Sequence, residues 1–134
     1  MSTLVDTSVW SLALRRDTPH LSPEVARLRH AIRGEELVFT TGLVLQELLQ
    51  GFNGPRARDA IVDRFTALPF LRPDRDDHVA AADLRNDCRR RGLQVGTVDA
   101  LLARLAMRFE LTMLTTDADF VRIAEHHPLE VWRS

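Results

Sequence analysis

The sequence predicts an α/β protein built around a parallel sheet. Short segments with strand character alternate with helical segments along the whole chain, the pattern typical of this class. The length of 134 residues fits one domain, residues 1–134, with a core large enough to fold without disulfides or structural metals. Apolar residues make up 45% and charged residues 28%, which is ordinary for a globular chain. No internal repeat or low-complexity tract divides the chain.

Five short segments have strand character. They cover residues 2–5, 37–39, 68–71, 112–115 and 130–132. The third segment contains Pro69, which has no N–H to donate to a neighbouring strand, so we expect it at an edge of the sheet.

Helix start and stop signals lie between these strands. The first helix carries Val9, Trp10, Leu12 and Ala13. The others are predicted over about 22–34, 40 or 41 to 50, 54–67, 74–91, 97–109 and 117–125. Asp6, Thr7 and Ser8 offer caps for the first helix. Gly34, Gly51 and Gly92 are expected to end later helices. Thr97 is the expected cap of a helix whose apolar residues recur at helical spacing: Val98, Leu101, Leu102, Leu105 and Phe109.

Charge and residue usage exclude several functions. The net charge of −1 gives no general affinity for nucleic acid. All 18 basic residues are arginine, so the lysine of a P-loop or of a Schiff-base enzyme is missing. The absence of lysine also disfavours a receiver domain. Arginine suits bidentate phosphate contacts, although coding bias explains its abundance equally well.

The expected location is the cytoplasm. No apolar run is long enough to span a membrane, and the N-terminus lacks the regions of a signal peptide. Cys88 is the only cysteine, which fits a reducing compartment.

Four acidic residues occupy positions where strands lead into helices. Asp6 follows the first strand and Asp117 the fourth, while Asp99 lies in the first turn of the helix that starts near Thr97. Glu47 lies in the helix after the second strand, between leucines. A solvent-exposed helix face is therefore a poor explanation for an acid at this position. Because ligands of open parallel sheets bind beyond the carboxyl ends of the strands, these acids could converge on one edge.

Converging carboxylates must take up protons or bind a cation. Oxygen ligands without sulfur favour Mg²⁺ over zinc. A cation of this type indicates phosphodiester hydrolysis by an activated water molecule. No covalent nucleophile is indicated, because Ser8 lies outside any G-x-S-x-G motif. A haloacid-dehalogenase-type phosphatase would need aspartate at the position that Ser8 occupies.

Four motifs in order resemble the PIN-domain toxins of the VapC type. They are Leu4-Val5-Asp6-Thr7-Ser8-Val9-Trp10, Gln46-Glu47-Leu48-Leu49-Gln50-Gly51, Arg89-Arg90-Arg91-Gly92 with Val95-Gly96-Thr97-Val98-Asp99-Ala100-Leu101-Leu102-Ala103, and Leu114-Thr115-Thr116-Asp117-Ala118-Asp119-Phe120. The resemblance covers essentially the whole chain.

This resemblance implies one PIN domain over residues 1–134, with a three-layer α/β/α fold and a central, mostly parallel sheet of about five short strands. It implies an endoribonuclease dependent on Mg²⁺ or Mn²⁺, in which Asp6, Glu47, Asp99 and Asp117 are the catalytic and metal-binding acids. Asp119 is an accessory candidate. Thr7 and Thr116 are candidates to hydrogen-bond the acids, although both could simply cap helices.

The resemblance also implies an RNA substrate and a cognate VapB-type antitoxin. The arginines nearest in sequence to the expected site are candidate RNA contacts: Arg15, Arg16, Arg89, Arg90 and Arg91. Apolar residues around the first helix and the Glu47 helix suggest an antitoxin groove and a homodimer, with ordinary core packing as the alternative: Trp10, Leu12, Leu14, Leu43, Leu45, Leu48, Leu49 and Phe52. No membrane partner is expected.

Two other functions stay open at this point. One is a PIN-type nuclease of RNA maturation or decay that has no antitoxin. The other is a binding module that kept the fold without catalysis, which the presence of all four acids disfavours.

Overall fold

The computed structural model describes residues 2–15 and 22–134. Within these two ranges the chain forms five strands and seven helices. In chain order they are β1 (Ser2–Val5), α1 (Thr7–Leu14), α2 (Pro23–Arg33), β2 (Leu37–Thr41), α3 (Gly42–Gly51), α4 (Pro55–Phe65), β3 (Phe70–Leu71), α5 (Arg75–Arg90), α6 (Thr97–Arg108), β4 (Thr112–Leu114), α7 (Ala118–Ala124) and β5 (Glu130–Val131).

The strands form one sheet in the order β3-β2-β1-β4-β5. Every neighbouring pair is parallel, and helices flank the sheet in a three-layer α/β/α arrangement, as predicted. The segment containing Pro69 is an edge strand, also as predicted. From β1 the chain runs through β2 and β3 to one edge and then through β4 and β5 to the other. The order therefore reverses between β1 and β4, where open α/β sheets form their ligand crevices.

Helix ends follow the expected signals with two differences. Gly96, not Thr97, is the N-cap of α6, and Thr97 is its first helical residue. The helix α2 ends at Gly34 as expected, but the residue with left-handed backbone is Glu35, at φ 56°. Gly92 does supply a left-handed conformation, at φ 81°, directly after Arg91, the C-cap of α5. This turn directs the chain into residues 93–96 and so towards α6.

The core is a single cluster of buried apolar side chains from the sheet and from all seven helices. Trp10 is among its largest members, at 1% exposure, and its ring centroid lies 5.0 Å from that of Phe65. Leu48 is equally buried. Neither Trp10 nor Leu48 is therefore available for the partner surface that the sequence suggested. In the part of the chain described here, no helix is long and apolar enough to cross a membrane.

A buried acid ties α5 to α6. The Asp77 carboxylate is fully buried and accepts hydrogen bonds from Arg104 Nε at 3.0 Å and from Arg108 Nη1 at 2.7 Å. It also accepts from the backbone N–H of Asp74, which completes a capping box at the start of α5. Burial alone would raise the pKa of Asp77, but the Asp74 N–H and the two guanidinium groups outweigh it and lower the pKa. The ionised form is thus the one that stabilises the fold.

We expect Asp77→Asn to lower the free energy of unfolding by about 3 kcal/mol at pH 7, since it leaves Arg104 without its charged partner and Arg108 with only the exposed Asp74, at 3.3 Å. Because the pKa of Asp77 is lowered from 3.8, the advantage of the wild type should be complete above that pH and shrink as the pH falls below it. Denaturant melts at several pH values would measure this. Asp83→Asn, at an exposed position of the same helix, is the matched control. A loss at pH 7 no larger than that of the control would contradict the role given to Asp77.

Candidate metal centre

The acids predicted from the sequence converge at the carboxyl edge of the sheet, beside the β1–β4 boundary. Asp6 follows β1 directly and Asp117 is the N-cap of α7, just after β4. Asp99 lies in the first turn of α6 and Asp119 in the first turn of α7. Because β1 and β4 are neighbours in the sheet, the two strand-to-helix junctions lie side by side.

Three of these carboxylates form a cluster that could hold a cation. Single oxygens of Asp99, Asp117 and Asp119 all lie within 4.8 Å of one another, and each residue is half-buried. Oxygen donors at this spacing suit a hard divalent cation such as Mg²⁺ or Mn²⁺. Asp99, Asp117 and Asp119 therefore fit the metal that the sequence predicts, whereas Asp6 and Glu47, also predicted as ligands, lie outside this group.

The charges of the site act most strongly on Asp99. Burial raises its pKa, and repulsion from Asp6, Asp117, Glu47 and Asp119 raises it further, to about 7. Asp6, Glu47, Asp117 and Asp119 thus all lie close enough to act on Asp99. Cation binding needs the ionised form of Asp99, so it must expel the proton that Asp99 carries at lower pH.

Two hydroxyl groups connect Asp6 to the β4–α7 turn, residues 115–117. Ser8 Oγ and Thr115 Oγ1 donate to the same oxygen, Asp6 Oδ2, at 2.8 and 2.9 Å. Each hydroxyl also accepts from a backbone N–H of the turn: Ser8 from Thr116 at 3.1 Å, and Thr115 from Asp117 at 2.9 Å. Each hydroxyl has a single hydrogen, and the geometry commits both hydrogens to Asp6.

This arrangement leaves the other oxygen of Asp6 open. No residue in the described ranges donates to Asp6 Oδ1, although Asp6 as a whole is only 6% exposed. The hydroxyl pair therefore fixes the carboxylate rotamer and leaves Oδ1 without a donor among the described residues. On α7 the backbone N–H of Asp119 donates to Asp117 Oδ1, and Arg122 pairs with Asp119 at 3.0 Å.

Glu47 is held at the rim of the site. Its Oε1 accepts a hydrogen bond from Thr7 Oγ1 at 2.8 Å, which joins α3 to α1. Glu47 is exposed, so the sequence-based inference that a solvated helix face is a poor explanation for it was wrong. It nevertheless lies close enough to raise the pKa of Asp99.

The predicted arginines do not behave as one group. Arg90 and Arg91 pair with Asp87, at 3.8 and 3.0 Å, so both are engaged at the end of α5. Arg89 is exposed and has no ion-pair partner among the residues described; it lines a cleft of about 330 Å³ together with Arg85. The cleft runs along residues 93–96 to Gly96, the N-cap of the helix that carries Asp99.

The two remaining arginine positions are less informative. Arg15 follows the last residue of α1, about 12 Å along the helix axis from its start at the acidic edge. Arg16 lies outside the described residues.

Sequence reasoning missed Ser8, Thr115 and Arg85 as contributors to this region. The expected hydroxyl contact from Thr7 is present, but Thr116 contacts the network only through its backbone N–H. Its side chain is exposed, and the neighbouring Thr115 hydroxyl makes the contact with Asp6. The signal for Ser8 and Thr115 was the presence of a hydroxyl residue in both strand-to-helix junctions.

We expect Asp99→Asn to stabilise the metal-free protein, with an advantage that grows from pH 4 to pH 8. The pKa of Asp99 rises from 3.8 to about 7 on folding, so its ionisation increasingly destabilises the folded state over this interval. At pH 8 the gain should be about 1–2 kcal/mol, because solvent screens part of the repulsion. Thermal melts in EDTA would measure it, with Asp83→Asn as the control. A variant less stable than the wild type at pH 8 would contradict this electrostatic account.

We expect Thr115→Val to weaken Mn²⁺ binding about 10- to 100-fold, the usual effect of removing a group that orients a ligand. Thr116→Val is the matched control and should bind Mn²⁺ as the wild type does, since no described hydrogen bond joins its hydroxyl to an acid. Titration calorimetry on folded variants would compare them. Equal losses in both variants would show that the Thr115–Asp6 contact has no special role.

Comparison with known proteins agrees with this fold. Residues 3–126 match the PIN domain family. Among curated proteins, none matches the sequence. Solved structures of similar fold include Rickettsia felis VapBC2 bound to a DNA fragment from its promoter, with TM-score 0.75, 19% identity and 98% of each chain covered. Another is FitAcB from Neisseria gonorrhoeae, with TM-score 0.71, 21% identity, and 98% of this chain and 96% of that chain covered.

A third similar structure is that of Mycobacterium tuberculosis VapC20, described as a sarcin–ricin loop cleaving toxin. It has TM-score 0.68 and 22% identity, and the match covers 90% of this chain and 94% of that chain. At these identities the structures establish a shared fold. The match of the PIN domain family over most of the sequence goes further, and it shows that the chain belongs to the PIN-domain family.

Proposed function

We propose that the protein is a metal-dependent endoribonuclease and the toxin of a type II toxin–antitoxin pair. The observation that carries this proposal is the convergence of Asp99, Asp117 and Asp119 within 4.8 Å, beside an Asp6 whose Oδ1 has no donor among the described residues. Such a cluster has no structural purpose in a fold that is already held by its core, because its charges repel one another.

The cation would be held by Asp6, Asp99, Asp117 and Asp119, with Glu47 at the rim. When bound, a divalent cation neutralises the carboxylates, activates a water molecule for attack on a phosphodiester and stabilises the charge on the phosphate. Ser8 and Thr115 keep Asp6 in position for it. Asp99 releases its proton as the cation binds, so activity should rise as the pH increases through the neutral range.

The arginine-lined cleft gives the RNA backbone a place beside these acids. Arg89 is unpaired within the described structure, and Arg85 uses Nε to donate to Val95 O at 2.8 Å, which leaves its two Nη groups for other partners. Guanidinium groups match phosphate geometry bidentately. We assign RNA as the substrate because of the resemblance to VapC-type toxins and because VapC20, of similar fold, is described as cleaving the sarcin–ricin loop.

The antitoxin assignment rests on the likeness to the VapBC2 and FitAcB structures and on an apolar surface. Half-buried apolar side chains lie on and just after α1 and α3: Leu12, Leu14, Leu43, Leu45, Leu49 and Phe52. An amphipathic antitoxin helix could lie against them by its apolar face. An arginine from the antitoxin could then pair with the carboxylates and exclude the cation. A homodimer and a cytoplasmic location complete the proposal.

We expect the purified protein to cleave RNA with Mg²⁺ or Mn²⁺ and to stop reversibly in EDTA. Asp6→Asn and Asp99→Asn should each lower the cleavage rate by more than about 100-fold without loss of fold, since a direct ligand matters more than a group that merely orients one. Gel assays on total RNA would measure this, and circular dichroism would check the fold. Asp83→Asn is the matched control. Cleavage that persists without metal, or full activity of Asp99→Asn, would overturn the mechanism.

We expect co-expression with the product of an adjacent antitoxin gene to give a tight complex without ribonuclease activity. Size-exclusion chromatography with light scattering would report the complex and the predicted homodimer. An antitoxin with its arginines replaced by alanine should still bind but should restore cleavage. A toxin that stays monomeric and binds no adjacent gene product would refute the toxin–antitoxin assignment and leave the nuclease assignment standing.

A further inference from the structure

A second cleft adjoins the acidic edge, next to the last strand of the sheet. It has a volume of about 360 Å³. The walls include three residues of the β4–α7 turn together with one residue of α2 and the chain after β5: Thr115, Thr116, Asp117, Glu24, Trp132 and Arg133. One end of the cleft thus shares its wall with the candidate metal centre.

The strand register explains why an aromatic residue lies here. Val131 of β5 pairs with Met113 of β4 in parallel, and the N–H of Trp132 donates to Met113 O at 2.9 Å. The next two residues of the chain, Trp132 and Arg133, therefore lie beside the end of β4, where it leads into the turn that carries Asp117. The sheet itself holds Trp132 at the acidic edge.

Trp132 is suited to contact a planar group. The chain has two tryptophans and no tyrosine. Trp10 is buried in the core at 1% exposure, whereas Trp132 is half-buried and lines the cleft. Tryptophan provides a large rigid surface on which a nucleobase can stack.

The charges of the cleft favour a neutral group over a phosphate. The residues that line the cleft include two acids, Glu24 and Asp117, and one arginine, Arg133. Arg133 is exposed and makes no ion pair or hydrogen bond with any residue of the described ranges. A carboxylate repels a phosphate but accepts a hydrogen bond from the exocyclic amine of a base, and a guanidinium can stack on a base or bind its carbonyl oxygen.

We propose that this cleft is a nucleobase subsite, in which an unpaired base of the RNA next to the cleaved bond stacks on Trp132. The inference rests on the proposed ribonuclease function. It divides substrate recognition between two clefts: the backbone phosphates lie along Arg85 and Arg89, and one base enters the cleft beside Trp132. Unpaired bases are required because stacking on a side chain needs a base free of its own duplex stack.

The test compares RNA cleavage by wild type, Trp132→Ala, Trp132→Phe and Arg133→Ala. The 5′ ends of the fragments from total RNA are first mapped, and an oligoribonucleotide containing the preferred site is then made with and without an abasic residue at each flanking position. Phe70→Ala is the matched control, because Phe70 is 41% exposed on β3, at the opposite edge of the sheet. Thermal melts confirm that each variant is folded.

We expect Trp132→Ala to lower kcat/KM about tenfold or more, the effect of losing one base–aromatic stack. Trp132→Phe should keep most of the activity, while Arg133→Ala should weaken the preference for one flanking base. An abasic residue at one position should lower kcat/KM of the wild type by the same factor of about ten. The same abasic residue should not lower kcat/KM of Trp132→Ala any further. A merely structural tryptophan would lose activity equally on intact and abasic RNA.

Three results would overturn the subsite. In the first, Trp132→Ala cuts the oligonucleotide as fast as the wild type and the Phe70→Ala control do, and its preference for flanking bases is unchanged. Another is equal sensitivity of wild type and Trp132→Ala to every abasic position. The third is normal cleavage by Trp132→Ala with loss of the antitoxin complex, which would make the cleft a protein-binding surface. In each case the nuclease assignment survives; it fails only if the wild type cuts no RNA with either metal, and the subsite then fails with it.

Discussion

The contact between Asp6 and the β4–α7 turn is the constraint on which the site depends. Asp6 belongs to the junction after β1 and the turn to the junction after β4, more than a hundred residues later in the chain. The parallel pairing of β1 with β4 brings them together. Two hydroxyls, each accepting from a backbone N–H and donating to Asp6 Oδ2, then set the direction of the carboxylate. A shift of β1 relative to β4 would therefore change the direction of the Asp6 carboxylate as well as its exposure.

The acidic edge is a local electrostatic weakness that the rest of the fold must offset. Repulsion and burial together raise the pKa of Asp99 to about 7. The helix that carries Asp99 is held elsewhere by apolar packing and, at its other end, by the ion pairs of Arg104 and Arg108 with buried Asp77. The C-terminal end of α6 thus carries charges that are paired, whereas its N-terminal end lies among carboxylates that repel one another. This arrangement suits a cation site, and it lowers the stability of the fold when no cation is bound.

Much of the fold was predictable because its signals are local. Strand-like runs, the Ser22-Pro23 helix start and the Pro69 edge strand are read from neighbouring residues, and the positions of the acids after the strands indicated that they lie near one another. Contacts across the sheet were less accessible. Two adjacent threonines, Thr115 and Thr116, look alike in sequence, yet only the first has its hydroxyl on Asp6. The exposure of Glu47 and the engagement of Arg90 and Arg91 by Asp87 also depend on tertiary packing.

We propose that the carboxylates of Asp6, Asp99, Asp117 and Asp119 bind one cation, with Asp6 held in position by Ser8 and Thr115. Anomalous diffraction from crystals soaked in Mn²⁺ tests it most directly. The account predicts an anomalous peak about 2.0–2.3 Å from carboxylate oxygens of Asp99 and Asp117, with Asp6 Oδ1 directed at the same ion. It also predicts that the Ser8 and Thr115 hydroxyls remain on Asp6 Oδ2. A well-ordered crystal with these carboxylates unliganded at millimolar Mn²⁺, or with the ion bound at a different set of residues, would contradict the account.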